Sequence, residues 1–176
     1  MKRVLIVVAA VVVAAAGCVA LIALLTSQDS SQVAGTSGPG VLEPDRGSAR
    51  QTGPATPASP ADKPPTSGPH RTEALTKDET VLTDDQILEA LQLGDVIITY
   101  EGAKPPAALV ALQRDIQGSG FDPFLAGAGQ AVILARRPGA GTQALAWRRR
   151  LVASGPEDPK LRDFADAWLG QGPGEG

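Results

Sequence analysis

Residues Val4 to Leu25 form an unbroken run of 22 apolar or small residues without a single charge. A helix of that length, rising about 1.5 Å per residue, covers about 33 Å, against a bilayer hydrocarbon core of roughly 30 Å. It is apolar on every face and has no partner of similar length, so a lipid core suits it better than a protein core. Lys2 and Arg3 precede it, and the next basic residue is Arg46. The positive-inside bias puts the N-terminus in the cytoplasm and everything after Thr26 outside. The expectation is a single-pass anchor over residues 1–26, with the membrane as a partner through residues 4–25.

Two other readings of the head exist. Ala14-Ala15-Ala16 has the form of a signal-peptidase site, which would give a cleaved secreted protein. Ala15-Ala16-Gly17-Cys18 is a loose lipoprotein box, with Cys18 as the lipidated residue. Against both, the run stays apolar through Leu25, where a mature chain would turn polar. All three readings place the remaining chain outside the cytoplasm. Cys18 is the only cysteine, so no intrachain disulfide can form and the outer domain must be stable without one.

Residues 27–63 are rich in Ser, Thr, Gly, Pro and Ala and carry no amphipathic period. Such a composition does not bury enough apolar surface to offset chain entropy, so the segment is expected to be a disordered linker. Residues 64–172 have globular character and a length typical of one domain; residues 173–176 are a flexible tail. The net charge of -3 gives no electrostatic footprint for nucleic acid, which is not expected as a partner.

Within the domain, Thr83-Asp84-Asp85-Gln86 fits a capping box that opens a helix with Ile87, Leu88 and Leu91 on its apolar face and Gly94 at its end. Val96–Tyr100 is β-branched and aromatic, hence a buried strand. Pro105-Pro106 open a second helix whose Leu109, Leu112 and Ile116 share a face. Residues 118–129 are a glycine-rich connection, and Ala131–Ala135 is a second strand. Gln143–Val152 reads as a third strand with Leu145, Trp147 and Leu151 on one face. Leu161, Phe164, Ala165, Trp168 and Leu169 form the stripe of a last helix. The fold class is α+β: a transmembrane helix, a linker, then a small antiparallel or mixed sheet with about three helices packed on one face.

Pro64-Pro65-Thr66-Ser67-Gly68-Pro69-His70, Leu134-Ala135-Arg136-Arg137-Pro138-Gly139 and the Ala146-Trp147 pair together resemble the bacterial family known as domain of unknown function 3105. The resemblance covers about residues 64–172. It implies a membrane-anchored, extracytoplasmic protein. It also implies a second motif, His-Asn-Leu-Glu-His-Gly, whose clustered histidines and glutamate suggest a metal or proton-transfer site. Here that register falls on Glu89-Ala90-Leu91-Gln92-Leu93-Gly94, so most of the implied ligands are replaced.

His70 is the sole histidine. It reads either as a remnant ligand or base, or as a structural residue closing the proline-rich loop through a ring N–H to a backbone carbonyl; the latter is favoured. Zinc and copper sites draw on several His or Cys ligands, so a site here would need carboxylates such as Glu89 or Asp95 beside His70. Glu89, Gln92 and Tyr100 are its expected neighbours. Ser67 and Ser119 lack a nucleophile elbow, and the glycines at 118–120 and 127–129 lack the Lys-Ser/Thr of a phosphate loop. Arg136, Arg137, Arg148 and Arg150 are a candidate basic patch toward an anionic polymer or lipid headgroups, or charges that protect a sheet edge. The chain is thus expected to be a non-catalytic binding or envelope-associated domain with an envelope protein or polymer as partner. No cofactor is expected, and a copper or zinc accessory domain with a weakened site at His70 is the alternative.

Overall fold

The computed structural model describes residues 38–173. The expected anchor helix and the first part of the expected linker lie outside the described residues. Among those described, no helix is long and apolar enough to cross a membrane.

The elements run β1 (Val41–Leu42), α1 (Asp84–Leu93), β2 (Val96–Tyr100), α2 (Ala107–Gln117), α3 (Pro123–Gly127), β3 (Val132–Arg136), β4 (Gln143–Ala146), β5 (Arg149–Val152) and α4 (Lys160–Trp168). The five strands form one sheet in the order β1-β5-β4-β2-β3. β2 and β3 are parallel, joined by the crossover through α2 and α3, and the other pairs are antiparallel. The class is mixed α+β.

Local sequence sets the helix ends. Thr83 accepts from the Gln86 amide while the Gln86 side chain accepts from the Thr83 amide, closing the capping box. Gly94, at φ 113°, ends α1 in the left-handed region that a Cβ disfavours. Asp122 caps α3 through the Phe124 amide, with Pro123 at the first helical position. The expected glycine-rich connection therefore contains a helical turn.

Alternation along the central strands divides the core. Ile97, Ile133, Ala135 and Leu145 face α1 and α3, meeting Ile87, Leu88, Leu91 and Ala126. Val96, Ile98, Tyr100, Val132, Leu134, Ala144 and Ala146 face the other way, onto Leu109 of α2 and Leu161, Phe164 and Ala165 of α4. Helices therefore cover both faces of the sheet, not one as expected. The reason lies in β2 and β3, every residue of which except Arg136 is buried, as in a strand covered on both sides. Burying each Leu or Ile fully contributes about 1.5–3 kcal/mol, which makes this double layer the main source of stability.

The expected third strand is a hairpin. β4 and β5 pair with Ala146 opposite Arg149, and Trp147-Arg148 form the turn. Arg148 takes φ 58° without glycine or asparagine to invite it. Its conformation is held from outside: its amide donates to Thr66 O at 2.8 Å, and its carbonyl accepts from the Glu43 amide at 2.8 Å.

The second departure concerns the linker. From Gly38 the chain belongs to the same compact unit as the domain. β1 pairs with β5, Val41 opposite Arg150 and Leu42 opposite Arg149. Arg50 forms a parallel bridge with His70. This arm carries little apolar surface, and polar anchors hold it. Asp84 accepts from the Ser59 amide at 2.6 Å, and Asp85 accepts from the Thr56 amide at 3.1 Å. Arg137 donates to Ala61 O, Ser59 O, Ser59 Oγ and Pro60 O. Gln143 Nε2 donates to Asp62 O at 2.9 Å. The acids at the start of α1, Asp84 and Asp85, are thus buried arm anchors.

Candidate functional site

α1 is buried on two sides. Ile87, Leu88 and Leu91 face the sheet, while Asp84, Asp85 and Glu89 are buried beneath the arm. Asp85 takes hydrogen bonds from the Thr56 hydroxyl and amide and from the Arg71 amide and Nε. Burial alone would raise its carboxyl, but these donors prevail and hold it down at about 2.

One turn further along lies His70, which is 0% exposed. Its backbone bridges the arm: the His70 amide donates to Ala49 O, and His70 O accepts from the Gln51 amide. Its ring Nδ1 lies 2.8 Å from Gly68 O. A carbonyl only accepts, so the Nδ1 proton is donated there. Nε2 lies 3.3 Å from Glu89 Oε2, and neither atom has a hydrogen-bond partner among the described residues. The other Glu89 oxygen accepts from Arg50 Nη2 at 2.9 Å. Gly68 O, His70, Glu89 and Arg50 thus form a chain of polar contacts that fastens the proline-rich loop and the arm to α1.

Of the other expected neighbours, Gln92 stands one turn beyond Glu89 and donates from Nε2 to Ser48 O at 3.2 Å, clamping the same stretch of arm. Tyr100 is elsewhere. Its position on β2 turns its side chain to the opposite face, into the core under α2 and α4. There burial, followed by the Glu79 and Asp78 carboxylates, pushes its hydroxyl up. The serines are spent on backbone: Ser67 Oγ donates to Pro44 O and accepts from the Arg46 amide, and Ser119 Oγ donates to Gly120 O.

The four arginines of the expected patch are engaged one by one. Arg137 pairs with Asp84 at 3.2 Å, Arg148 with Asp45 at 3.5 Å and Arg150 with Glu43 at 2.8 Å. Arg136 Nε donates to Gly102 O. Arg150 also donates to Gln143 Oε1 and Pro64 O, so it ties β5, β4, the arm and the start of the proline-rich loop together. The Arg150 and Thr66 hydrogen bonds bring Glu43 below the usual carboxylate range, although burial opposes them. Of the four only Arg150 is buried, and the other three are partly exposed.

Asp95 is the other carboxylate that the sequence offered for a site beside His70. It is 1% exposed at the entry to β2, where Oδ1 accepts from the Ala131 amide at 2.8 Å. Oδ2 is buried without a hydrogen-bond partner among the described residues. Burial pushes this carboxyl up to about 7 against the pull of the Ala131 hydrogen bond. Asp95 and Glu89 both line a pocket of about 90 Å³ between α1, α3 and the chain after His70. The only signal in the sequence was an acid directly after the glycine that ends a helix and directly before an apolar strand.

Among the described residues no group of three His, Cys, Asp or Glu side chains is placed to hold a metal ion. A five-stranded mixed sheet with helices on both faces, and a polar arm locked by His70 and Glu89, define the domain. The chain belongs to the family described as protein of unknown function (DUF3105), whose model matches residues 54–176. That match begins inside the arm, ten residues before the proline-rich signature. No curated protein and no solved structure matches the chain.

Proposed function

We propose that this protein is a membrane-anchored, extracytoplasmic binding domain without catalytic activity, working against another component of the cell envelope. The observation that carries the non-catalytic reading is the commitment of His70. The sole histidine is fully buried, with Nδ1 hydrogen-bonded to Gly68 O and Nε2 3.3 Å from Glu89 Oε2. A base or ligand needs a nitrogen facing a cleft, and this ring is 0% exposed. The anchored reading is supported by the charge-free run from Val4 to Leu25 behind Lys2 and Arg3.

Two measurements test the proposal. Protease added to intact cells should remove the domain while the membrane fraction retains the N-terminal segment; protection from protease would refute the orientation. Metal analysis of the purified chain should find no stoichiometric copper or zinc. Stoichiometric metal that disappears in His70→Ala would replace this reading with the metal-accessory one.

A further inference from the structure

The pocket beside α1 combines two features that call for a particular kind of occupant. Two carboxyl groups line it: Asp95, whose Oδ2 is buried without a partner among the described residues, and Glu89, beside His70 and Arg50. Its walls are apolar, made by Leu75, Leu93, Pro123 and Ala126. Buried polar atoms are almost always hydrogen-bonded, and carboxylate oxygens only accept. Once Asp95 has ionised, whatever matches Oδ2 must therefore donate. The apolar walls favour a carbon stem behind the donor. A bare metal ion would want more oxygen or nitrogen ligands than two carboxylates supply, and no third ligand of the kind is placed for one among the described residues.

We propose that this pocket binds a primary alkylammonium group, with the N–H donors on Asp95 and Glu89 and the alkyl stem along Leu75, Leu93, Pro123 and Ala126. The volume of about 90 Å³ suits a short stem, such as the end of a lysine side chain or a small free amine. Residues 89 and 93 lie four apart on one helix, so the acid and the apolar wall come from the same face of α1. Ionisation reinforces the geometry. Asp95 titrates at about 7, so a cation gains its counter-charge as pH rises through neutrality. The ionisable groups facing Asp95 reduce to Glu89 on α1, since Ala74-Leu75 and the Pro123, Ala126 and Gly127 stretch of α3 contribute none to the pocket.

This inference rests on reading the domain as a binding module and supplies its ligand class. The experiment uses the ¹⁵N-labelled full chain in nonionic micelles and follows the Ala131 amide, which is hydrogen-bonded to Asp95 Oδ1. n-Butylammonium should shift that resonance saturably, with a dissociation constant on the order of 1 mM, typical of a handful of ligand atoms. n-Butanol, of the same shape but uncharged, should not. Nα-acetyl-lysine methyl ester in a parallel arm separates the two sources: tighter binding than butylammonium assigns the pocket to lysine side chains, weaker binding to free amines. Asp95→Asn keeps the acceptor for Ala131 and should weaken binding about tenfold or more, as should lowering the pH from 8 to 5.5. Ala126→Leu, which leaves both carboxylates in place and narrows the pocket, should weaken it as well. The proposal is overturned if butanol shifts the resonance as butylammonium does, if neither amine binds, or if Asp95→Asn and Ala126→Leu both bind unchanged. Those results would leave the metal analysis untouched, so failure of the ligand class and failure of the binding-domain reading are separable.

Discussion

Asp95 makes a quantitative prediction about stability. Its carboxyl titrates at about 7 in the folded protein against 3.8 as the ordinary value. A raised carboxyl means that between these values the native state holds a proton that the unfolded chain has released. Stability therefore falls as pH rises, by about 1.4 kcal/mol per unit for this group, and levels off above about 7. The full span gives about 4 kcal/mol, an upper value because water entering the pocket would soften it. Asp95→Asn retains the oxygen that accepts from the Ala131 amide and removes the buried charge. The variant should be more stable than wild type by about 2–4 kcal/mol at pH 8 and within about 1 kcal/mol of it at pH 4. The assay is urea unfolding of the compact unit from Gly38 onward, followed by fluorescence of Trp147 and Trp168, at pH 4, 5, 6, 7 and 8. Parallel pH profiles for wild type and variant would refute the reasoning, because they would show that Asp95 is as well solvated in the folded state as in the unfolded one.

Three further perturbations probe the arm and the backbone crossings. Arg137→Ala strips the arm of its guanidinium contacts and leaves Asp84 buried with its ion pair broken; it should cost about 3–5 kcal/mol and speed limited proteolysis between Thr56 and Asp62. Asp85→Asn should cost about 2 kcal/mol at pH 7, since the wild-type carboxyl is held at about 2 rather than 3.8; this stabilisation is present above pH 4 and lost as pH falls toward 2, so the variant's acid unfolding curve should be flatter there. Gly129 has φ 69°, and a Cβ on it would overlap the Leu93 carbonyl oxygen, whereas a Cβ on Gly127 meets nothing within 4 Å. Gly129→Ala should lower the melting temperature by several degrees, corresponding to about 2 kcal/mol or more, while Gly127→Ala should leave it unchanged or raise it.

The parts of this fold that were legible in the sequence are those in which apolar period and end signals coincide. The capping box of Thr83 and Gln86, the left-handed stop at Gly94 and the uninterrupted strand at Val96–Tyr100 each specify their element locally, and α4 carries a full apolar stripe. What stayed hidden depends on partners far away in the chain. Arg148 turns because Thr66 and Glu43 hold its backbone, and nothing in Trp147-Arg148 announces a hairpin. The arm reads as disordered because the usual criterion counts buried hydrocarbon, whereas Thr56, Ser59 and Ala61 are held by buried carboxylates and a guanidinium more than twenty residues away. The same blindness applies to the site. His70 and Glu89 could be paired from the family register, and they do meet. Tyr100 could not be excluded by that register, because only strand alternation places it on the other face of the sheet. The burial of Asp95 was invisible because a carboxylate's environment, not its neighbours in sequence, decides whether it is solvated or unpartnered. A chain whose outer layer is fastened by buried charge rather than by hydrocarbon therefore hides both its extent and its buried polar groups from a hydrophobic-pattern reading.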